Sequence, residues 1–239
     1  MAEKFTPLHY IVMVLAVGLA FSVAAAAWSF PEPAILSVSG HSEMTADPNE
    51  AHVYLGVTSQ SATANQAQQM ASTTIGTVIA ALRGVGVAEG DIETYYVRLS
   101  PRYDWSSDSG KQEIIGYDAT HMLKAKVGIG SVGDSINAAV AAGSNQLERV
   151  DYSVDEETES ELKRQLLSEA AADARAKAEG LAAALGTRIT RVRSASESSS
   201  IAPYRAAVED AVSASGSPVP MPIGKVELEG TASVIYEMA

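Results

Sequence analysis

The sequence of 239 residues contains no cysteine. Disulfide bonds, thiolate nucleophiles and thiolate-bound metals are therefore excluded, and stability has to come from packing or from assembly. The sequence also lacks a phosphate loop of the Gly-Lys-Ser type, the zinc motif His-Glu-x-x-His and the nucleophile motif Gly-x-Ser-x-Gly. From these absences we predict a protein that is not an enzyme, with no catalytic, cofactor-binding or metal-binding residues and no cofactor.

Positive charge is scarce as well. The chain has 17 Lys and Arg against 29 Asp and Glu, which gives a formal net charge of -12. This acidity argues against nucleic acid and anionic lipid surfaces as partners, and it favours solubility in a salty exterior. The composition identifies no small-molecule or peptide ligand.

Long apolar runs are missing except for one at the amino end. From Leu8 to Ala27, twenty residues pass without Asp, Glu, Lys or Arg, and as a helix they would extend about 30 Å, the thickness of a bilayer's hydrocarbon core. The alanines at 24–27 also offer sites for signal peptidase. Residues 1–30 are therefore predicted to be either a signal peptide or a membrane anchor. Lys4 favours the cytoplasmic side, which places the body outside.

The body begins with two strands. Alternating apolar residues predict a strand at 35–44 and another at 53–57, separated by the turn residues Asp47-Pro48-Asn49. We therefore predict a β-hairpin. A capping box at Thr63 and Gln66 then begins a helix that is predicted to end at Gly84.

A second strand pair and a short helix follow. The alternation predicts strands at 95–99 and 115–129, joined by a polar tip, and Ser131 with Asp134 is predicted to cap a helix through Ala142. A further strand is predicted at 150–154.

The strongest helix prediction covers residues 155–185. Its apolar positions are spaced three and four apart, as on one face of a helix: Leu162, Leu166, Ala170, Ala174, Ala178, Leu181 and Leu185. Because the middle of this stripe, from Ala170 to Ala178, is alanine, it indicates close packing, either on a sheet or against another helix.

The carboxyl-terminal part is predicted as a strand at 188–194, a Ser- and Pro-rich loop at 196–222 and a final strand. The final strand would bury Val226, Leu228, Ala232, Val234 and Tyr236. In total we predict one α+β domain over residues 31–239, with about seven strands in a mixed or antiparallel sheet and three helices.

Several segments stand out by their order and spacing: Val38-Ser39-Gly40, Asp47-Pro48, Gly86-Val87, Asp91-Ile92-Glu93-Thr94, Leu99-Ser100-Pro101-Arg102-Tyr103, Ile115-Gly116-Tyr117-Asp118-Ala119, Ala141-Ala142-Gly143 and Leu185-Gly186. In this order they resemble the SIMPL-domain family, exported envelope proteins that include a bacterial periplasmic immunogen. Ser42 and Asn49 depart from the usual pattern, which often has glycine and aspartate there. The resemblance implies an α+β fold and, in some members, a ring-like or barrel-like homo-oligomer. It implies no established catalysis.

Three histidines outside the apolar segment are candidates for chemistry. In the predicted hairpin His41 would lie near His52, with Glu43 and Glu50 beside them, which is either a surface metal site or an exposed polar face. We favour the polar face. His121 occupies an apolar register and therefore needs a partner, either in a core or interface or in the lining of an oligomer cavity.

A basic cluster of three arginines, Arg188, Arg191 and Arg193, lies at the strand that follows the long helix. These side chains would pair either with acids of a neighbouring subunit or with acids of the same chain, and the sequence favours neither.

The function predicted from the sequence is that of a non-enzymatic extracytoplasmic envelope protein that assembles with itself into a homo-oligomer. Its role would be structural, scaffolding or channel-like, with the membrane contacted through Leu8 to Ala27. The alternative is a module that binds peptides or other ligands, or acts as a chaperone, in the envelope.

Overall fold

The computed structural model describes residues 33–104, 113–206 and 223–239. These residues form eight strands and three α-helices. The strands are Ala34–Ala46 (β1), Glu50–Ser61 (β2), Ile92–Asp104 (β3), Glu113–Gly128 (β4), Gln146–Ser153 (β5), Ile189–Ala202 (β6), Tyr204–Ala206 (β7) and Val226–Met238 (β8). The helices are Ala64–Gly84 (α1), Val132–Ala141 (α2) and Glu156–Ala184 (α3).

The strands form two separate antiparallel sheets. One has the strand order β3-β4-β2-β5-β7, and with α1 and α2 it makes what we call the five-stranded unit. The other has the order β1-β8-β6, and with α3 it makes the three-stranded unit. The chain passes between the units several times, so neither unit is continuous in sequence.

The core of the five-stranded unit lies between its sheet and α1. The helix begins at Thr63, whose hydroxyl oxygen accepts a hydrogen bond from the backbone N–H of Gln66 at 3.4 Å, as the capping box predicts. Its predicted apolar face is the buried face: Ala67, Ala71, Ile75, Val78 and Leu82. Large side chains from β2 and β4, including Leu55 and Leu123, complete the core.

The three-stranded unit is held by close packing of small residues. Helix α3 buries Leu166, Ala170, Ala174, Ala178 and Ala182. A Cβ atom added to Gly40 of β1 would lie 2.0 Å from the backbone oxygen of Ala170. The alanine stripe therefore packs on a sheet, and the glycine is required because backbone meets backbone there.

Asn49 fastens the two units together where β1 passes into β2. Its side-chain Nδ2 donates to Asp155 Oδ2 at 2.9 Å, and its Oδ1 accepts from the backbone N–H of Asp155 at 2.7 Å. Asp155 also caps α3 by accepting from the backbone N–H of Thr158 at 2.8 Å. The hydrogen bonds with Thr158 hold the pKa of Asp155 below its usual value.

The predicted first hairpin is wrong. β1 pairs with β8, and β2 pairs with β4 and β5, because the turn at Asp47-Pro48-Asn49 carries the chain from one sheet to the other. The single sheet of about seven strands is therefore corrected to two antiparallel sheets with eight strands in the described residues. The second hairpin, β3 with β4, is confirmed.

Three smaller predictions also need correction. The strand predicted at 188–194 continues to Ala202 as β6, so the first part of the predicted loop at 196–222 is strand. Ser131 makes no side-chain capping hydrogen bond to α2. Leu181 and Leu185 are exposed, and Ala182 is buried in their place because the last turns of α3 present a different face to the sheet.

Within the described ranges, no helix is long and apolar enough to cross a bilayer. The segment from Leu8 to Ala27 lies outside those ranges.

Candidate functional site

Among the described residues, the helices of the five-stranded unit leave one edge strand of its sheet uncovered. Helix α1 packs over β2 and β4, and β3 lies beyond it at the sheet's edge. Residues of β3 that share the helix-side face are consequently in solvent: Val97 is 57% exposed and Leu99 is 45% exposed. Tyr103 and its cross-strand partner Ile114 extend this surface toward the end of the hairpin, at 39% and 48% exposed.

We call Val97, Leu99, Tyr103 and Ile114 the β3 apolar row. The row is continuous with the interior, because Leu99 pairs with Ala119 of β4, which is buried beneath α1. A contiguous exposed apolar surface rimmed by polar residues is typical of a protein interface. The edge strand also presents backbone groups that a further strand could pair with.

The opposite face of the same sheet carries a cluster of aromatic and charged side chains around Arg149. Its guanidinium carbon lies 3.8 Å from the centre of the Tyr54 ring and 5.4 Å from that of Tyr95. The two rings meet edge to face at 4.9 Å. Arg149 also donates to Asp151 Oδ2 at 3.1 Å and to Glu148 Oε1 at 2.6 Å.

The charged and aromatic groups of this cluster are paired with one another. Burial disfavours the charged guanidinium, but the hydrogen bonds with Tyr95, Asp151 and Tyr54 outweigh that effect and raise the pKa of Arg149. Because its charge is matched by carboxylates and its faces are stacked, Arg149 joins β5 to β2 and β3 across the sheet. We therefore assign the cluster a stabilising role.

The histidines are not brought together. His41 lies in the three-stranded sheet, where its ring Nδ1 is 3.2 Å from Thr231 Oγ1, whereas His52 lies in the five-stranded sheet. The metal-site hypothesis depended on the hairpin that does not form. In the part of the chain that the structure describes, no three His, Asp or Glu side chains are placed to hold a metal.

His52 and His121 both belong to the five-stranded unit. His52 Nε2 lies 3.4 Å from Glu50 Oε1, while its Nδ1 is buried without a hydrogen-bond partner. Burial is the main reason why the pKa of His52 is lowered. His121 does have a partner, since its Nε2 is 3.3 Å from Thr94 Oγ1, and burial lowers its pKa too.

The arginine cluster lies on β6, the edge strand of the three-stranded sheet. Arg191 pairs with Glu237 of the same chain through two hydrogen bonds of 2.7 and 2.9 Å, which lower the pKa of Glu237. For Arg191 the intramolecular alternative is therefore confirmed. Among the described residues, the side chains of Arg188 and Arg193 form no ion pair.

A groove of about 480 Å³ runs between β6 and the last turns of α3, and we call it the α3 groove. Ala182, Ala183 and Glu179 of the helix form one wall, and Val192 with Tyr236 contributes apolar surface from the sheet. Val192 is 55% exposed, because α3 packs mainly on β1 and β8. In both units, then, the helices leave an edge strand uncovered on their side of the sheet.

Two relatives and one protein family match this chain in sequence. Over 170 residues the chain is 29% identical to the 26 kDa periplasmic immunogenic protein of Brucella melitensis biotype 1, covering 70% of this chain and 67% of that protein. The protein of the same name from Brucella abortus strain S19 matches to the same extent. These names support an extracytoplasmic location. A family model described as SIMPL, a protein of unknown function (DUF541), matches residues 36–236, and the chain therefore belongs to the SIMPL family.

Proposed function

We propose that this protein is a non-enzymatic subunit of the cell envelope, outside the cytoplasm, that assembles into a homo-oligomer with a structural, scaffolding or channel-like role. The observation that carries the proposal is the β3 apolar row. A row of large apolar side chains on an edge strand, continuous with the core, is stabilised by contact with another protein surface.

A second copy of the chain is the partner that we propose for this row. Each copy brings the same apolar side chains and the same open strand edge, so two copies satisfy each other without a further component. Burial of the four side chains would remove apolar area from water, and this stabilises the interface by about 25 cal/mol for each Å² removed. The net charge of -12 opposes close approach of two copies, and the interface therefore has to be apolar at its centre.

The proposal is tested by light scattering of the full-length protein purified in detergent. We expect a discrete oligomer at micromolar concentration. The double variant Val97→Lys with Leu99→Lys should dissociate it, because each lysine would bring an unpaired charge into the interface. The matched control is Met70→Lys with Val140→Lys, which adds the same charge at apolar helix positions that are 52% and 46% exposed.

The proposal is supported if the β3 double variant dissociates and the control double variant keeps the wild-type mass. A wild-type protein that is monomeric at micromolar concentration contradicts assembly itself. A β3 variant that keeps the wild-type mass places any interface elsewhere.

The finer part of the proposal is attachment to the membrane through Leu8 to Ala27. The support for it is the length of this uncharged run, which equals that of a bilayer-spanning helix. Mass spectrometry of the protein from membrane fractions should find the segment intact. A mature chain that begins after Ala27 would instead identify the segment as a cleaved signal peptide.

A further inference from the structure

The free side of β6 lacks the features that usually keep a strand from pairing with another protein. β6 runs from Ile189 to Ala202, pairs only with β8 among the described residues, and contains no buried residue. Natural edge strands are commonly protected by lysine, proline or a bulge. β6 contains no lysine or proline, and its two bulges lie at 189–191 and 192–194. Residues 194–202 therefore form a regular strand that is open on one side, and we call them the β6 edge.

The charge of the β6 edge suits a second copy of the same chain. The protein carries a net charge of -12, so two copies repel each other over most of their surfaces. The β6 edge holds a single charged residue, Glu197, among serines, alanines and Ile201. Two copies can therefore approach each other here with little repulsion. Identical strands that pair antiparallel are related by a two-fold axis, so the same edge serves both copies.

The two faces of β6 limit the registers that two copies can adopt. Ala195, Glu197 and Ile201 pair with buried residues of β8 and lie on the side of α3. Ser198 lies on the other face of the sheet, where it pairs with Thr231. Directly opposite residues of an antiparallel pair share a face. The two-fold axis must therefore pass through a residue of β6 and not between two residues.

One register fits the β6 edge best, and its axis passes through Ser198. This residue is the midpoint of the regular segment, so all of 194–202 pairs, each Glu197 lies opposite Ser199, and each Ala195 lies opposite Ile201. An axis one residue earlier would place the two Glu197 carboxylates directly opposite each other, which is destabilising. An axis one residue later would place each Glu197 opposite the apolar Ile201.

We propose that the β6 edge pairs antiparallel with the β6 edge of a second copy, with the two-fold axis at Ser198. The contact joins two three-stranded sheets into one sheet of six strands, and it gives hydrogen-bond partners to the open backbone groups of both strands. It is a second interface, separate from the β3 apolar row and formed without it. A copy that uses both interfaces has two neighbours, so the assembly extends beyond a dimer.

The test is disulfide cross-linking of the full-length protein in detergent, which is possible because the chain contains no cysteine. Ser198→Cys places one thiol at the axis, where the two Cα atoms would lie about 4.5–5.5 Å apart, within the range of a disulfide. In the matched control, Ser196→Cys, each thiol lies opposite Ser200 and about 14 Å from the thiol of the other copy.

With micromolar protein and copper phenanthroline as the oxidant, Ser198→Cys should form cross-linked dimer about a hundredfold faster than Ser196→Cys. The reason is that thiols held opposite each other have an effective concentration in the millimolar range. Equal rates for the two variants would mean that the dimers arise from random collisions, and they would overturn the proposal.

A double variant tests the register. Ser196→Cys and Ser200→Cys in one chain should cross-link about as fast as Ser198→Cys, because each thiol then lies opposite a thiol of the other copy. Neither substitution alone should do so. Fast cross-linking by Ser196→Cys alone or by Ser200→Cys alone contradicts the axis at Ser198.

The β3 variant separates this proposal from the proposed function. When Val97→Lys and Leu99→Lys are combined with Ser198→Cys, the cross-linking rate should stay the same, because β6 belongs to the other unit. Cross-linking that disappears in this background would contradict an interface formed by β6 itself. An oligomer that dissociates in the β3 variant, while Ser198→Cys never cross-links, would support the proposed function and overturn the β6 interface.

Discussion

The two units of this protein stabilise similar two-layer arrangements in different ways. The five-stranded unit buries large side chains such as Leu55, Leu82 and Leu123 beneath its helices, and Arg149 fastens the other face of its sheet. The three-stranded unit has a helix lined with alanine that touches the sheet backbone at Gly40. One unit therefore relies on apolar volume, and the other relies on close approach of backbones.

The contact between β1 and α3 at Gly40 predicts a high cost for one added methyl group there. In Gly40→Ala the new Cβ would meet Ala170 O at 2.0 Å and Ala174 N at 2.4 Å, both backbone atoms of α3 that cannot rotate away. We expect a loss of about 3 kcal/mol in unfolding free energy. Hydrogen exchange should show the lost protection in β1 and α3 before it appears in α1.

The matched control is Gly76→Ala in α1, where a Cβ has no neighbour within 4 Å. There the same change should stabilise by about 0.5–1 kcal/mol, since alanine favours a helix more than glycine does. Equal effects of the two substitutions would show that β1 and α3 are not in close backbone contact at Gly40.

A smaller effect tests how tightly the units are joined. Asn49→Ala removes both side-chain hydrogen bonds to Asp155 and leaves the Asp155 backbone N–H without this acceptor. We expect a cost of about 1–2 kcal/mol, spread over both units. In denaturant series followed by hydrogen exchange, the amides of α1 and α3 should then open at different denaturant concentrations.

Asn145→Ala is the appropriate comparison, because Asn145 makes two similar hydrogen bonds, with Thr58 N and Thr58 O, inside the five-stranded unit. Asn145→Ala should lower the stability of that unit by a similar amount, and the two units should still open together. If α1 and α3 still open at the same denaturant concentration in Asn49→Ala, then contacts other than those of Asn49 join the two units.

The sequence predicted local elements better than their partners. The buried face of α1 follows from apolar residues three and four apart, which is a property of the helix alone. The pairing of β1 with β8 joins strands from opposite ends of the body, and nothing in the alternation of β1 distinguishes that partner from β2. The metal-site hypothesis failed for the same reason. His41 and His52 could lie close together only in the predicted hairpin, and that hairpin does not form.

Exposure of the candidate surfaces could not be predicted for a related reason. The alternation predicts one apolar face with Tyr95, Val97 and Leu99, but an irregularity at 94–96 breaks it, and Tyr95 stacks with Tyr54 on the opposite face. Whether a helix covers Val97 and Leu99 depends on where α1 lies across the sheet. In the same way, Leu181 and Leu185 follow the spacing of the helix stripe and are nevertheless exposed. A periodic pattern thus identifies a face without identifying what covers it.

The smallest expected effect is a difference between the two units in how their folding stability depends on pH. Burial lowers the pKa of His52 and His121, both in the five-stranded unit, below the value of 6.5 for a free histidine. As the pH falls below 6.5, the unfolded chain takes up protons that the folded unit resists, so folding stability decreases. In the three-stranded unit Lys177 lowers the pKa of Asp173 and Arg191 lowers that of Glu237. These carboxylates stabilise above their ordinary pKa values of 3.8 and 4.5 and lose that effect only in stronger acid.

Between pH 7 and pH 5, hydrogen exchange should therefore lose protection in α1 while α3 keeps it. His52→Gln with His121→Gln should flatten the dependence in that interval, since glutamine does not titrate. Lys177→Gln with Arg191→Gln should leave the interval unchanged and act below about pH 4.5, where the unpaired carboxylates take up protons. Equal loss of protection in both helices between pH 7 and pH 5 would show that the half-buried His52 and His121 do not set the acid response.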